Sequence, residues 1–263
     1  MLEAKLGVAV VSFDRPKHLY VTLDSIFRMR YIEQVPVFTF LIENDTLTDR
    51  IYMIDDLPTQ RMFIKQRGGD AFMYAFYNLF YIQGCHRVVL FGDDQIARTE
   101  LLDYVNTLQD DDPRVFIDAL GGSDSTLGYT YLGTDTSGGI SLLKKNFDLV
   151  NSWLDTEECI QSLGSNFVPS PALYRYDFDH FLWVFMGPRG YYTRCAPVRY
   201  AMCFGVCGVH GPNSPECYDF ENERFFAGDK ETWLDNIRTI LSSNEELPCD
   251  VTRMLLPRHF IYG

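Results

Sequence analysis

Apolar residues along the chain fall into short continuous runs separated by stretches of helical spacing. Leu6 to Phe13 is uninterrupted and β-branched, the pattern of a strand buried on both faces. Asp14-Arg15-Pro16 ends it. Lys17 to Arg30 follows, with Leu19, Leu23, Ile26 and Phe27 spaced along one helix face. Val35 to Ile42 predicts a second buried strand, closing on Glu43-Asn44-Asp45, and Met62 to Lys65 a short third one. Gly68-Gly69 precedes an aromatic-rich helix from Asp70 to about Ile82. His86 to Phe91 predicts a fourth strand, which delivers Gly92-Asp93-Asp94 at its carboxyl end. A helix over Arg98 to Leu108 and a strand over Arg114 to Leu120 complete the regular half.

The second half is less regular. Gly121 to Gly139 is rich in Gly, Ser, Thr and Asp and predicts a loop or loose hairpin at a sheet edge. Ile140 to Leu143 predicts a strand, Lys144 to Leu154 a helix, Leu173 to Phe185 an aromatic helix and Tyr191 to Cys203 extended chain. A glycine loop, Gly205 to Gly211, follows, then one helix over Trp233 to Leu241 and an apolar end from Met254 to Tyr262. Repeated βα units predict an α/β fold with a mostly parallel central sheet and helices on both faces. Ligands of such sheets sit outside the carboxyl ends of the strands. The polar groups around Asp14-Arg15, Glu43-Asn44-Asp45 and Asp93-Asp94 therefore converge on one crevice. One domain is expected over 1–263, with a nucleotide-binding half over about 1–120 and an acceptor-binding half plus tail over about 121–263.

Composition narrows the classes. At 46% hydrophobic and 22% charged the chain is an ordinary globular protein. Its 23 Lys+Arg against 36 Asp+Glu give a net charge of −13, which disfavours nucleic acid as a partner, because that affinity comes largely from cations on phosphates. No apolar stretch reaches bilayer length and no secretory n- and h-region opens the chain, so the expectation is a cytoplasmic protein. Seven cysteines, an odd number, fit a reducing compartment better than a disulfide framework.

Three motifs carry candidate chemistry. Asp93 and Asp94 end a buried strand side by side. Like charges raise each other's pKa unless a cation lies between them, and Mg²⁺ or Mn²⁺ meets that need with hard oxygen ligands. A pair of solvated turn aspartates explains the same letters. Asp177 and Asp179, within Tyr176-Asp177-Phe178-Asp179-His180, offer a general base; two apart on a helix, they point to different sides. His210 lies in the glycine loop and is a candidate metal ligand. A competing reading makes Cys203, Cys207 and His210, with Cys195 or Cys217, a structural zinc site, although Cys-x₃-Cys-x₂-His departs from the usual spacing. The chain has no P-loop, no Gly-x-Gly-x-x-Gly after the first strand, no Gly-x-Ser-x-Gly elbow and no His-Glu-x-x-His pair. What survives is phosphate plus divalent metal.

In their order these motifs resemble the GT-A class of nucleotide-sugar glycosyltransferases, specifically the branch of the large family 2 enzymes and N-acetylglucosaminyltransferase I. Val8 to Phe13 with Asp14-Arg15-Pro16 is similar to that family's first strand and Asn-Arg-Pro turn, with Asp for Asn. Glu43-Asn44-Asp45 resembles the acidic group that contacts the uridine base and ribose. Gln66-Arg67-Gly68-Gly69-Asp70 resembles the segment before the metal motif. Gly92-Asp93-Asp94 stands where the family has Glu-Asp-Asp or Asp-x-Asp, with the first acid missing. Cys203 to Gly211 resembles the loop that closes on diphosphate and metal. The similarity runs over about residues 6–215.

The resemblance implies a GT-A, Rossmann-like fold and a metal-dependent glycosyltransferase. Such an enzyme moves a hexosyl or N-acetylhexosaminyl group from a nucleoside-diphosphate sugar, a UDP-sugar by family expectation, to a glycan or other hydroxyl acceptor with inversion. It implies donor contacts at Phe13, Asp14, Arg15, Glu43, Asn44, Asp45, Gly69 and Asp93, and Mn²⁺ or Mg²⁺ held by Asp94 with Asp93 and His210. Alignment to family 2 makes Asp177 the base, whereas alignment to the N-acetylglucosaminyltransferase makes it Asp179. The missing anchor implies a bacterial cell or a virus-infected host. Three alternatives stand beside this reading: an inactive GT-A relative serving as a glycan-binding or assembly module, favoured by Gly92; a nucleotidyltransferase, disfavoured by Ser12 to Pro16 where that class has a glycine-rich loop; and a viral glycosyltransferase acting on modified DNA bases, disfavoured by the charge.

Overall fold

A computed structural model describes residues 5–12, 16–42, 57–64, 69–121, 129–131, 139–154, 156–163, 185–197 and 200–203. In chain order the strands are β1 (Leu6–Ser12), β2 (Val37–Ile42), β3 (Gln60–Ile64), β4 (Arg87–Gly92), β5 (Gln95–Ala97), β6 (Val115–Ala119), β7 (Tyr129–Tyr131), β8 (Ile140–Leu143), β9 (Tyr192–Cys195) and β10 (Ala201–Cys203). The helices are α1 (Pro16–Phe27), α2 (Gly69–Tyr77), α3 (Leu101–Thr107), α4 (Lys144–Leu154) and α5 (Glu157–Leu163).

Eight strands form the main sheet in the order β3-β2-β1-β4-β8-β6-β9-β7, and β10 pairs with β5 in a small second sheet. Strands β1, β2, β3 and β4 are mutually parallel, and β9 is parallel to β6. Strand β8 lies antiparallel between β4 and β6, and β7 lies antiparallel to β9 at the edge. Six strands thus run one way and two the other. The order turns around between β1 and β4, whose carboxyl ends leave side by side with Val11 opposite Gly92.

Both faces of the sheet are covered, which is why β1, β2 and most of β4 consist of buried side chains. One face packs Ala9, Val11, Phe38, Phe40, Val88 and Leu90 against Phe76, Leu79 and Phe80 of the α2 segment and Phe147 and Val150 of α4. The other packs Val8, Val10, Val89 and Phe91 against Leu19, Leu23 and Ile26 of α1 and Leu101, Leu102 and Val105 of α3. Helix α1 starts on Pro16, whose fixed φ and missing N–H suit a first helical turn. Burying a leucine or isoleucine such as Leu23 or Ile26, each 0% exposed, is worth about 1.5–3 kcal/mol.

Several boundaries differ from the sequence expectation. The helix expected from Asp70 to Ile82 is α-helical only to Tyr77 and continues as a π-turn over Asn78–Ile82. Leu79 of this turn and Cys85 beyond it lie close to Gly7, where an added Cβ would stand 2.7 Å from Leu79 and 2.8 Å from the Cys85 sulfur. The extended run from Tyr191 to Cys203 splits into β9 and β10, which belong to different sheets. Pro197, which cannot donate to a ladder, stands between them. Strand β5 and helix α5 are additions. The helices expected at Leu173 to Phe185 and Trp233 to Leu241 lie outside the described residues, apart from Phe185.

One buried polar group ties the sheet together. Asp118 on β6, 3% exposed, accepts from Arg87 Nη1 of β4 at 2.8 Å and from Arg194 Nε of β9 at 2.6 Å. Arg87 also donates to Ser141 Oγ of β8 at 3.0 Å. Four adjacent strands are thereby joined by side chains as well as by the backbone ladder. Tyr104 stacks on Tyr200 beside this group, with ring centroids 4.4 Å apart. Burial and then the Asp118 charge push its hydroxyl up to about 12.

Candidate functional site

The crevice is expected where the strand order turns around, at the carboxyl ends of β1 and β4. Strand β4 opens on the buried Arg87 and is apolar and buried from Val88 to Phe91, and the chain then turns through Asp93 and Asp94 before entering β5. The two aspartates have different environments. Asp93 is 2% exposed, whereas Asp94 is partly open to solvent.

The turn is held from two sides. Ser12 Oγ, at the last position of β1, donates to Asp93 Oδ2 at 2.8 Å. Thr22 Oγ1, on the buried face of α1, donates to the Asp93 carbonyl at 2.7 Å. One helical turn on, Ser25 Oγ donates to the Thr22 carbonyl at 2.7 Å and accepts from Ala97 N–H at 3.1 Å. Gln95 folds back over the turn, and its Oε1 accepts from Gly92 N–H at 2.9 Å. A Cβ at Gly92 would stand 3.1 Å from Asp94 Oδ1, so the glycine leaves room for that carboxylate.

Strand β10 closes the far side. Cys203 pairs with Gln95 and Ala201 with Ala97, antiparallel, and Arg98 N–H donates to the Tyr200 carbonyl at 2.7 Å. The backbone that leaves β10 toward the glycine loop therefore starts beside the acidic turn.

Of the sequence-predicted site residues, the structure places Asp93, Asp94 and Gly69, the last at the start of α2. Phe13, Asp14, Arg15, Glu43, Asn44, Asp45, Asp177, Asp179 and His210 lie outside the described residues. In the zinc reading Cys195 is buried in β9, while Cys207, His210 and Cys217 lie outside the described residues. Ser12, Thr22, Ser25 and Gln95 were not singled out from the sequence. Their signal is visible in retrospect: Thr22 and Ser25 are polar residues interleaved with the apolar stripe Leu19, Leu23 and Ile26, and all five are buried.

Among the described residues no group of three or more His, Cys, Asp or Glu could hold a metal ion. Asp94 offers a partly open carboxylate, while the Asp93 carboxylate beside it is buried against Ser12 Oγ. So few hard oxygens suit a cation which keeps waters and takes most of its ligands from phosphate, and do not suit a closed protein cage. No helix among the described residues is long and apolar enough to cross a membrane.

No protein-family model matches the sequence, and no curated protein matches it. Solved structures do match its fold. A mannosyltransferase from Pyrobaculum calidifontis, in complex with GDP-Man and Mn²⁺, is 12% identical with a TM-score of 0.50, over 96% of this chain and 68% of that one. TarS of S. aureus is 12% identical with a TM-score of 0.47, over 98% of this chain and 72% of that one. A cytidylyltransferase from Leptospira borgpetersenii is 10% identical with a TM-score of 0.42, and the match spans 57% of this chain and 65% of that one. With its parallel β3-β2-β1-β4 half and the antiparallel β8 inserted before β6, the chain has the GT-A, Rossmann-like fold.

Proposed function

We propose that the protein is a metal-dependent glycosyltransferase that moves a sugar from a nucleoside-diphosphate sugar to an acceptor hydroxyl. The observation that carries this reading is the acidic turn Asp93-Asp94 at the strand-order reversal of a GT-A sheet, with one carboxylate buried and the other open. Crevices at such reversals are where α/β sheets bind nucleotides. The fold likeness to a mannosyltransferase holding GDP-Man and Mn²⁺ supports it.

In this reading Asp94 is the direct metal ligand and Asp93 braces the turn, with His210 drawn from the loop that follows β10. A divalent ion bound there supplies electrostatic stabilisation of the charge that develops on the departing diphosphate. The remaining work falls to side chains. Asp14, Arg15 and the Glu43-Asn44-Asp45 group hold the nucleoside, and Asp177 or Asp179 accepts the proton of the acceptor hydroxyl as it attacks the anomeric carbon with inversion. UDP is the nucleotide expected from the motif resemblance, the acceptor is a glycan, and the transferred group is a hexose or N-acetylhexosamine.

The test is thermal or urea unfolding against UDP-, GDP- and CMP-sugars, each with and without Mn²⁺. A ligand at ~100 times its Kd adds about 2.7 kcal/mol. The expected result is stabilisation by one nucleotide class that requires the metal and is lost in Asp94→Ala. Absence of stabilisation by every nucleotide would overturn the reading.

A further inference from the structure

The buried polar contacts beneath the acidic turn point to residues that no motif identifies. Three hydroxyls, Ser12, Thr22 and Ser25, are 2%, 0% and 6% exposed, yet each lies among apolar neighbours where an alanine or valine would pack at lower desolvation cost. All three spend their hydrogen bonds on one short stretch, residues 93–97, or on the helix that holds it. Ser12 takes the Asp93 carboxylate, Thr22 takes the Asp93 carbonyl, and Ser25 links the Thr22 carbonyl to Ala97 N–H. The turn that follows α1 is bound to the chain just beyond, through Arg30 N–H to the Thr99 carbonyl at 2.9 Å.

We infer that Thr22 and Ser12 are positioning residues for the acidic turn. The inference rests on the proposed donor and metal site. The two hydroxyls hold the carbonyl and the carboxylate of Asp93 from different elements, α1 and β1. The peptide that follows, and with it the Asp94 carboxylate, is fixed in the crevice before any ligand arrives. Preorganisation of this kind determines how well a polar group serves a bound charge.

The experiment uses Thr22→Val, which keeps the shape and removes the hydroxyl, together with Thr22→Ser, Ser12→Ala and the control Thr107→Val. Thr107, exposed at the end of α3, makes a hydroxyl-to-carbonyl bond within its own helix, to Tyr104. Two quantities are read in the full chain: amide hydrogen exchange across residues 92–97, and the Mn²⁺ concentration giving half-maximal UDP-dependent stabilisation. In Thr22→Val and Ser12→Ala, exchange over 92–97 is expected to rise at least tenfold relative to the core strands, and the Mn²⁺ midpoint to rise about tenfold. Thr22→Ser is expected to return both to within twofold of wild type, and Thr107→Val to move neither. Unchanged local exchange in Thr22→Val and Ser12→Ala would overturn the inference, as would a Mn²⁺ midpoint within twofold of wild type despite faster exchange. A wild-type protein that shows no Mn²⁺-dependent nucleotide binding would instead overturn the donor reading, and the exchange data would still decide whether the hydroxyls hold the turn. If Thr22→Val does not fold, Ser12→Ala carries the same two readouts.

Discussion

Ser12 and Asp93, 81 residues apart in sequence, meet across the β1/β4 turn-around in a buried hydrogen bond of 2.8 Å. That contact sets two adjacent aspartates in different environments. Asp93 is part of the interior, and Asp94 stays partly open to solvent.

Replacing each aspartate should therefore give opposite phenotypes. Asp93→Ala strands the buried Ser12 hydroxyl and should cost about 1–3 kcal/mol in urea unfolding. Asp94→Ala should cost under about 1 kcal/mol while abolishing any metal-dependent response to nucleotide. Equal destabilisation by the two changes would contradict the division.

Placing at position 92 the acid found in the glycosyltransferase motif that Gly92-Asp93-Asp94 resembles should not improve the proposed site. The Cβ of Gly92→Glu would stand 3.1 Å from Asp94 Oδ1 and add a like charge beside it. Mn²⁺-dependent nucleotide stabilisation is expected to weaken by about tenfold in apparent Kd, equivalent to ~1.4 kcal/mol. Tighter binding in Gly92→Glu would instead mean that the glycine had disabled an ancestral site, and would favour the inactive-relative alternative.

Gly139 has φ +86°, and a Cβ there would lie 3.0 Å from the Phe91 ring and 3.3 Å from the Leu90 carbonyl. Its own carbonyl accepts from Leu120 N–H at 3.0 Å, so the backbone cannot move away without losing that bond. Gly139→Ala is expected to destabilise by about 1–3 kcal/mol through strain at positive φ. Urea unfolding checks it, with the shift expected in the midpoint and not in the slope.

Acid stability should depend on Asp112. Its hydrogen bond from the Tyr192 hydroxyl, followed by those from Arg114, holds its carboxyl below the ordinary value of 3.8. A depressed folded-state pKa contributes stability that is present above 3.8 and is lost as pH falls through the folded value. Unfolding measured at pH 5 and near pH 3 should show a smaller difference in Asp112→Asn than in wild type. The neighbouring acids are also paired, Asp110 with Lys145 and Asp111 with Arg194, so the run 110–112 fastens the approach to β6 despite the excess of negative charge.

Much of the fold was legible because burial leaves a simple trace. The mostly apolar runs of β1, β2, β4 and β8 mark strands covered on both faces, and the alternating helical stretches mark parallel crossovers. Strand β5 is three residues long and α5 buries Cys159 at its centre, so neither has enough periodicity to stand out. The split of the run from Tyr191 to Cys203 depends on which sheet each end meets, which is tertiary information. The acidic pair was legible from its place after a buried strand. Which of the two carboxylates is buried was not, because Ser12 and Thr22 decide it from other elements. The position of β8 between β4 and β6 likewise leaves no local mark.

That position has a consequence for synthesis. The edge of β4 carrying Val88 and Leu90 has no partner until Ile140 to Leu143 have been made. At ~5–20 residues per second, the roughly fifty intervening residues leave a flat apolar strand edge unpaired for several seconds on the ribosome. The chain through Gly92 carries the four strands that pair in parallel in the folded protein, and the edge of β4 is one that β8 must cover before a chaperone, or a second nascent chain, pairs with it.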